Sequence, residues 1–461
     1  MTNTHDFIVL GGGPAGQKAA IQAAKAGRRV LLVDREAKPG GACVRHGTIP
    51  SKTLRETAMA FEAFSRKTGG VTDVVVPAGV RLEALMKRLD HVVTGHEQFL
   101  GAQLARNGVE LWHGRASFVS AHEVEVAAPR GVRRRASADA IVVATGSSPR
   151  MPTDIPIDHE HILDSDSILS LAWVPRSLIV LGGGVIASEY ASIFAALGTR
   201  VTMVDAAPRP LAFLDPELVR GFAQAFERMG GVFLGGRRAA SVKWNGLDAV
   251  DVRLDDGRAL AADKLLFALG RTANLEGLEV GAAGLVPGPR GTLLVDENFQ
   301  TSVPGIYAVG DVIGPPALAA TSMEQGRRAA CHALGIAAGG RGDLVPVGVY
   351  TVPEIGCVGL DEAAAIAKHG RAMVGRARFD ELARGRIAGA ETGMLKLVCD
   401  PEGRKLLGVH VVGDGATELV HVGQMAMVGD LDVDVFVEQA LNFPTLAEAY
   451  RVAALDVINR R

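Results

Sequence analysis

Residues 7–16 read Phe-Ile-Val-Leu-Gly-Gly-Gly-Pro-Ala-Gly, and this stretch decides the fold. A short apolar run, Phe7 to Leu10, predicts a buried strand that enters G-x-G-x-x-G without a linker. An Ala-rich helix then reaches about Gly27, and a second apolar strand, Val30 to Val33, ends in Asp34. Each glycine has its own task in such a unit. Gly11 makes the turn, Gly13 lets a pyrophosphate approach the backbone, and Gly16 lets helix pack on strand. The helix N-terminus offers unpaired N–H groups and positive dipole to phosphates. Asp34 can accept from a ribose hydroxyl, and Arg35 beside it joins the candidate binding residues.

The unit occurs twice. Leu178 to Leu181 leads into Gly182-x-Gly184-x-x-Ala187, a helix, and a strand from Val201 to Val204 that ends in Asp205. The interval from Gly11 to Asp34 equals that from Gly182 to Asp205. Each copy also has a later strand closed by small residues: Asp139-AIVV-Ala144-Thr145-Gly146, and Asp263-KLLF-Ala268-Leu269-Gly270. A single G-x-G-x-x-G is imitated by any tight strand–helix turn. Two copies with matched spacing and matched closing strands predict two dinucleotide-binding domains.

Around these units, residues Leu82, Leu85, Met86, Leu89, Val92, Val93, His96, Phe99, Leu100 and Leu104 recur at helical spacing and predict a long amphipathic helix. Beta-rich stretches near Val109–Val126 and Ala239–Leu260 precede the closing strands. An apolar strand before Gly310-Asp311 has the composition of a ligand-contacting strand end. From about Pro346 the chain mixes strands (Lys396–Val398, Leu407–Val412) with helices and has no phosphate loop, which predicts a third, α+β domain. The fold class is therefore α/β, with two Rossmann-like domains and a C-terminal α+β domain.

Composition narrows the function. Length 461 is too much for one core. Lys+Arg number 49 against 51 Asp+Glu, so no electrostatic case exists for nucleic acid or an anionic membrane. The Arg133-Arg134-Arg135 patch reads as a solvated turn. No apolar run approaches a membrane span. Four cysteines (Cys43, Cys331, Cys357, Cys399) make neither a disulfide scaffold nor a zinc pair. The N-terminus lacks the basic-then-apolar pattern of a signal, which predicts a cytoplasmic protein, and without a CxxC pair no metal is expected.

The segment Gly40-Gly41-Ala42-Cys43-Val44-Arg45-His46-Gly47-Thr48-Ile49-Pro50-Ser51-Lys52 resembles the redox-active segment of the flavin-dependent pyridine nucleotide–disulfide oxidoreductases. The likeness covers essentially the whole chain. It implies an FAD-binding domain (1–150, returning at 275–340), an inserted NAD(P)-binding domain (151–274) and a C-terminal dimerisation domain (341–461), hence a homodimer or higher homo-oligomer. Two positions depart from the disulfide reductases. Thr48 stands where their second redox cysteine lies, and Phe443-Pro444-Thr445 replaces their His-Pro-Thr, with Glu448 retained. Both departures are similar to the Si-specific, soluble, FAD-containing NAD(P)+ transhydrogenase branch. So are Asp164–Ser170, Leu211–Asp215, Asp311–Gly314, Ala383–Ile387 and the run from Pro444.

The resemblance implies these roles. Gly11, Gly13, Gly16, Asp34, Arg35, Thr145, Gly146, Asp311 and Ala319 bind FAD; Gly40, Gly41, Cys43 and Thr48 lie along the flavin. Lys52 faces the flavin edge that takes hydride and pairs with Glu189. Gly182, Gly184, Ala187, Glu189, Asp205, Arg209 and Gly270 bind NAD(H) and NADP(H). Bland readings stand beside them: Cys43 as a small buried hydrophobe, Thr48 as a helix-start hydroxyl, Lys52 as a solvent-facing helical lysine, Asp311 as an N-cap, and His410 and His421 as structural. Asp205 suits the free 2′-hydroxyl of NAD, whereas Arg209 suits the 2′-phosphate of NADP, so the expectation is use of both with NAD(H) favoured. The rival functions are a diaphorase or quinone reductase with the same nucleotide sites, and a nucleotide-sensing protein without turnover.

Overall fold

Phe7–Leu10, Val30–Asp34 and Ala140–Val143 are buried along their whole length, as strands of a parallel sheet covered on both faces must be. The computed structural model describes residues 3–68, 82–339, 344–390 and 392–461. These residues form two compact units: Met1–Pro50, Met86–Arg150 and Gly270–Gly340 in the first; Ser51–Leu85, Met151–Leu269 and Arg341–Arg461 in the second.

The first unit is built on a five-stranded parallel sheet in the order Ile306–Ala308, Ala140–Val143, Phe7–Leu10, Val30–Asp34, Glu110–His113. The return strand Ile306–Ala308 thus brings Gly310-Asp311 to the sheet edge from which Gly11 and Thr145 also emerge. Ligands bind at this carboxyl end of parallel strands. The fingerprint helix Pro14–Lys25 packs on helix Ala319–Ala333 so closely that a Cβ on Gly326 would lie 2.0 Å from the Ala15 carbonyl oxygen. A second sheet runs Asn3–Thr4, Arg133–Ser137, Glu123–Ala127, Arg115–Ser120.

In the second unit a parallel sheet runs Ile162–Leu163, Lys264–Phe267, Ser177–Leu181, Arg200–Asp205, Val232–Gly235. Its last four strands repeat the order of closing strand, fingerprint strand, acid-ending strand and fourth strand seen in the first unit. The internal repeat is therefore one of topology as well as motif. An antiparallel meander, Ala239–Trp244, Val250–Leu254 and Ala259–Ala262, covers part of this sheet with Val242, Val250, Val252 and Leu254. The C-terminal region is a five-stranded antiparallel sheet around Leu395, Leu397, Val409 and Val411, against helices Ala416–Val428 and Glu448–Ile458.

Two local expectations are corrected. Arg133, Arg134 and Arg135 do not form a turn: they lie on strand Arg133–Ser137, where Arg133 and Arg135 reach Glu123 and Glu125 on the neighbouring strand. The long helix is present as Leu82–Arg106, and Leu89, Leu100 and Leu104 are buried, but Phe99 is 55% exposed and Val92 is exposed too. Glu97 shares the buried face with those leucines, its carboxylate met by Arg45 at 3.0 Å and Lys38 at 3.1 Å. The side chains of Leu82 and Leu85 lie outside the described residues.

Candidate functional site

The first fingerprint turn is woven between its neighbours. Gly11 takes a φ of +107°, its N–H donates to the Val33 carbonyl at 2.8 Å, and a Cβ there would meet the Ala144 carbonyl oxygen at 2.3 Å. Gly16 is needed because a Cβ would sit 1.9 Å from the Gly11 carbonyl oxygen. Gly13 differs: the nearest atom to a Cβ built there is the Gly41 Cα, at 4.0 Å. Space is left beside it, as a pyrophosphate requires. Gly40-Gly41 lies directly over the turn, with Gly40 N–H donating to the Gly12 carbonyl at 2.8 Å. A Cβ on Gly41 would be 2.8 Å from the Gly13 Cα.

Asp34 is buried, and its carboxylate already serves the backbone: Oδ2 accepts from Gly12 N–H at 2.6 Å and Oδ1 from Glu36 N–H at 2.8 Å. Burial raises its pKa, against the lowering effect of those bonds. The acid thus shapes the glycine-rich turn. Arg35 beside it is half exposed, with Nε 3.8 Å from Glu36. Gln17, a residue the motif does not single out, donates from Nε2 to the Gly12 carbonyl at 2.6 Å.

Asp311 is held on the same rim. Ser147 Oγ donates to Asp311 Oδ2 at 2.6 Å, and Arg271 donates to Ser147 through Nε to Oγ at 2.8 Å and Nη2 to the carbonyl at 2.7 Å. Gly310, at φ +76°, donates its N–H to Gln325 Oε1 at 2.8 Å. Thr145 follows the closing strand, and Ala319 starts the helix Ala319–Ala333. The hydroxyls of Thr145 and Thr321 are buried without a protein partner. An open cradle at Gly13, a positioned Asp311 and two orphaned hydroxyls on one sheet edge fit a polar, phosphate-bearing cofactor.

The second fingerprint repeats the logic. Gly182 takes a φ of +127°, a Cβ on it would lie 2.7 Å from the Ala268 carbonyl oxygen, and Gly184 has nothing within 4 Å. Ala187 is fully buried under the turn, and the Ser188 hydroxyl beside it is buried without a partner. Asp205 ends its strand with Oδ1 accepting from Ala207 N–H at 2.6 Å. Arg209 curls back: its Nη2 donates to the carbonyls of Ala212 at 3.0 Å and Leu214 at 3.3 Å. Gly270, expected with these residues, belongs to the first unit, where its carbonyl accepts from Arg150 N–H at 3.1 Å.

Elsewhere in the second unit, Lys52 Nζ lies 2.7 Å from Glu189 Oε2. Glu189 sits on the fingerprint helix Val185–Ala196, and its Oε1 accepts from Tyr350 N–H at 2.9 Å. The Tyr350 ring centroid is 4.7 Å from Nζ, within cation–π range. One turn along helix Thr48–Thr68, Arg55 donates from Nε to the Thr351 carbonyl at 2.8 Å and faces Glu354 at 3.5 Å. Lys52 is thus no solvent-facing lysine. Tyr350 was invisible to motif reading, because it lies far along the chain in a strand-like run without special chemistry.

Cys43 lies on the short helix Gly41–Arg45 and Thr48 begins the following helix. All four cysteines are thiols. Phe443 is 67% exposed, and Glu448 starts the last long helix with Oε2 buried and unpartnered. Buried His410 is structural: its Nε2 contacts the Leu360 carbonyl at 2.9 Å, and desolvation lowers its pKa.

Residues 5–326 match the model of the pyridine nucleotide-disulphide oxidoreductases, and residues 345–454 match that family's dimerisation domain. The chain belongs to this family. It is 42% identical over 462 residues to the soluble pyridine nucleotide transhydrogenase of Mycobacterium tuberculosis (strain ATCC 25177 / H37Ra), covering 99% of this chain and 97% of that one. With the soluble pyridine nucleotide transhydrogenase of Pseudomonas putida (strain W619) it shares 41% over 460 residues, covering 99% and 98%. Among solved structures it is similar to LpdA from Mycobacterium tuberculosis, with a TM-score of 0.91, 29% identity, and 98% and 99% of the two chains covered. It is also similar to the HOCl-induced flavoprotein disulfide reductase RclA from Escherichia coli, with a TM-score of 0.87, 26% identity and coverage of 98% and 99%. The family binds FAD and NAD(P)H, and the cradle described above fits FAD. No helix among the described residues is long and apolar enough to cross a membrane.

Proposed function

We propose that this protein is a soluble pyridine nucleotide transhydrogenase, an FAD-dependent oxidoreductase moving hydride between NADPH/NADP+ and NADH/NAD+. One observation carries the reading: a chain related over its full length to named transhydrogenases has a single thiol, Cys43, in the segment where disulfide reductases need two. When bound, FAD supplies a two-electron carrier able to take hydride from one nucleotide and pass it to another.

The residues divide the remaining work. Gly11, Gly13, Gly16, Gly40 and Gly41 form a backbone cradle for the FAD pyrophosphate, with Asp34, Arg35, Thr145, Gly146, Asp311 and Ala319 around the rest of the cofactor. Gly182, Gly184, Ala187, Asp205 and Arg209 serve the nicotinamide nucleotides. Lys52 contributes a fixed ammonium, which Glu189 and Tyr350 keep in place before any substrate arrives. Cys43 and Thr48 take part by contact rather than thiol chemistry. Residues 1–150 and 275–340 are assigned to FAD, 151–274 to NAD(P), and 341–461 to a homodimer contact. The cytoplasm is the assigned compartment, supported by balanced charge and reduced cysteines.

Both nucleotides are used, with NAD(H) favoured. Asp205 repels a 2′-phosphate, and Arg209 Nη2 is committed to two carbonyls, leaving Nε and Nη1 of its fork for that phosphate. The test of function is an anaerobic spectral titration. NADPH bleaches the flavin band, and thionicotinamide-NAD+ restores it with stoichiometric formation of the reduced analogue. Recovery only with a quinone, or no bleaching at all, overturns the proposal.

A further inference from the structure

Away from the fingerprints, a lysine is buried among carboxylates. Lys396, on the C-terminal strand Met394–Cys399, has a side chain only 2% exposed. Its Nζ reaches Asp215 Oδ2 at 2.8 Å, Glu217 Oε2 at 2.7 Å and Glu362 Oε2 at 2.7 Å, which uses all three N–H donors. Arg376 on the next strand holds Glu217 from the other side, Nε at 3.1 Å from both oxygens and Nη2 at 2.9 Å from Oε2. Glu362 shares Arg376 Nη2 at 3.3 Å. Two cations and three carboxylates are costly to desolvate, so replacing them by an apolar cluster would serve stability as well or better. Their position in the chain points to another use.

Asp215 caps helix Pro216–Arg228, accepting from Glu217 N–H at 2.8 Å through Oδ1, while Lys396 holds Oδ2. It is also the last residue of the loop that begins at Asp205. That loop touches the fingerprint turn through Leu211 N–H to the Gly183 carbonyl at 2.7 Å. Leu211 takes a left-handed φ of +46°, unfavourable for a leucine and sustained here by that bond and by complete burial. Arg209 rests on Ala212 and on Leu214, the residue before Asp215. The carbonyls that aim Arg209 therefore stand between two anchors, Gly183 and the Lys396–Asp215 pair.

We infer that Lys396 is a positioning residue for NADP(H) recognition: by fixing Asp215 it holds the Ala212 and Leu214 carbonyls that orient Arg209 toward the 2′-phosphate. The inference rests on the reading of Arg209 as the phosphate contact. A region otherwise assigned to dimer formation thereby takes part in nucleotide discrimination, because pre-orientation of a flexible arginine lowers the entropic cost of binding.

The experiment measures KM and kcat for NADPH and for NADH on full-length holoenzyme, with thionicotinamide-NAD+ as acceptor. Lys396→Met is expected to raise KM for NADPH roughly tenfold and that for NADH by less than about threefold, with kcat nearly unchanged. Because this variant leaves Asp215 buried without a cation, Asp215→Asn is tested beside it. Asn still caps the helix, and Lys396 keeps Glu217 and Glu362. The same selective rise is expected from it. In an Arg209→Ala background either substitution should change KM for NADPH by no more than about twofold, since the group it positions is gone. Equal rises for both nucleotides, or undiminished effects without Arg209, overturn the inference while leaving Arg209 as the phosphate contact. If Arg209→Ala alone weakens both nucleotides equally, the Arg209 reading fails and the inference with it.

Discussion

Lys52 Nζ lies 2.7 Å from Glu189 Oε2, and the glutamate's other oxygen accepts from the Tyr350 N–H at 2.9 Å. With the Tyr350 ring 4.7 Å from Nζ, the ammonium is fixed by charge, hydrogen bond and π-face together. Glu189 is nearly buried, so each partner covers a charge the other would leave unpaired. Lys52→Met should slow anaerobic flavin reduction by NADPH by about a hundredfold, the usual cost of removing one positioned electrostatic group. Glu189→Gln keeps an acceptor for Tyr350 but loosens the lysine, and should cost about tenfold. Stopped-flow absorbance reads both rates. Wild-type rates in a flavin-replete Lys52→Met protein would remove Lys52 from the chemistry.

The glycine cradles were legible in sequence because a turn with φ near +100° and a backbone in contact with backbone leave glycine no substitute. The return strand was legible too, since Ile306–Ala308 is apolar and ends in Gly310-Asp311. What escaped was contact between distant, unremarkable residues. Tyr350 N–H, Gln17 and Ser147 act through hydrogen bonds that need no special spacing. The long helix misled for a related reason: its stripe gives the apolar positions, but two cations fixed by tertiary structure meet Glu97 on the buried face, and Phe99 lies out. Periodicity reports average burial, and a carboxylate met by two cations can take a place on the buried face beside the leucines.

The two kinds of fingerprint glycine separate folding from binding. A Cβ at Gly16 collides with the Gly11 carbonyl at 1.9 Å, so Gly16→Ala should destabilise the first unit by about 3 kcal/mol and yield little flavin-loaded protein. At Gly13 the nearest atom is 4.0 Å from the same Cβ, so Gly13→Ala should fold with an apoprotein Tm close to wild type. Its FAD affinity should nevertheless fall at least about tenfold, because the methyl occupies the approach of the pyrophosphate. Calorimetry of apoprotein and fluorescence titration with FAD distinguish the two. Equal loss of Tm in both variants would contradict the geometry.

The Lys396 cluster sets an acid limit on stability. Burial alone would raise the pKa values of Asp215 and Glu217, yet Lys396 and the Glu217 N–H hold Asp215 below its ordinary 3.8, and Arg376 with Lys396 holds Glu217 below its ordinary 4.5. A carboxyl with a depressed folded pKa contributes fully above its unfolded pKa and loses that contribution as pH falls through the folded value. Lys396, raised above its ordinary 10.5 by the carboxylates against the effect of burial, loses its contribution only on the alkaline side. Tm should therefore fall as pH drops below about 4.5, and Glu217→Gln should flatten that slope while lowering Tm at neutral pH. An unchanged acid slope in Glu217→Gln would mean that other carboxyls govern the transition.

A flavoprotein of this family without a second redox thiol should take its first electron pair on the flavin itself. Cys43 lies on helix Gly41–Arg45, and Thr48, at the head of the next helix, has a hydroxyl that cannot enter thiol–disulfide exchange. Cys331 and Cys399 are buried, and burial pushes the thiols of Cys357 and Cys399 up to about 12, so neither of the latter supplies a thiolate near neutral pH. Anaerobic titration with NADPH should bleach the flavin band after one equivalent, without a long-wavelength charge-transfer band. Cys43→Ser should retain transhydrogenation within about threefold, since its sulfur contributes contact and not electrons. Thr48→Cys should gain little disulfide reduction on its own, because the resemblance to the disulfide reductases aligns Phe443-Pro444-Thr445 with their His-Pro-Thr, leaving no proton-carrying histidine. Only with Phe443→His added are both missing parts supplied, and any gain in disulfide reductase activity should exceed that of either single variant by at least about tenfold. A charge-transfer band in wild-type protein at two electrons, with a second equivalent needed to bleach the flavin, would show a dithiol couple and return the chain to the disulfide reductases.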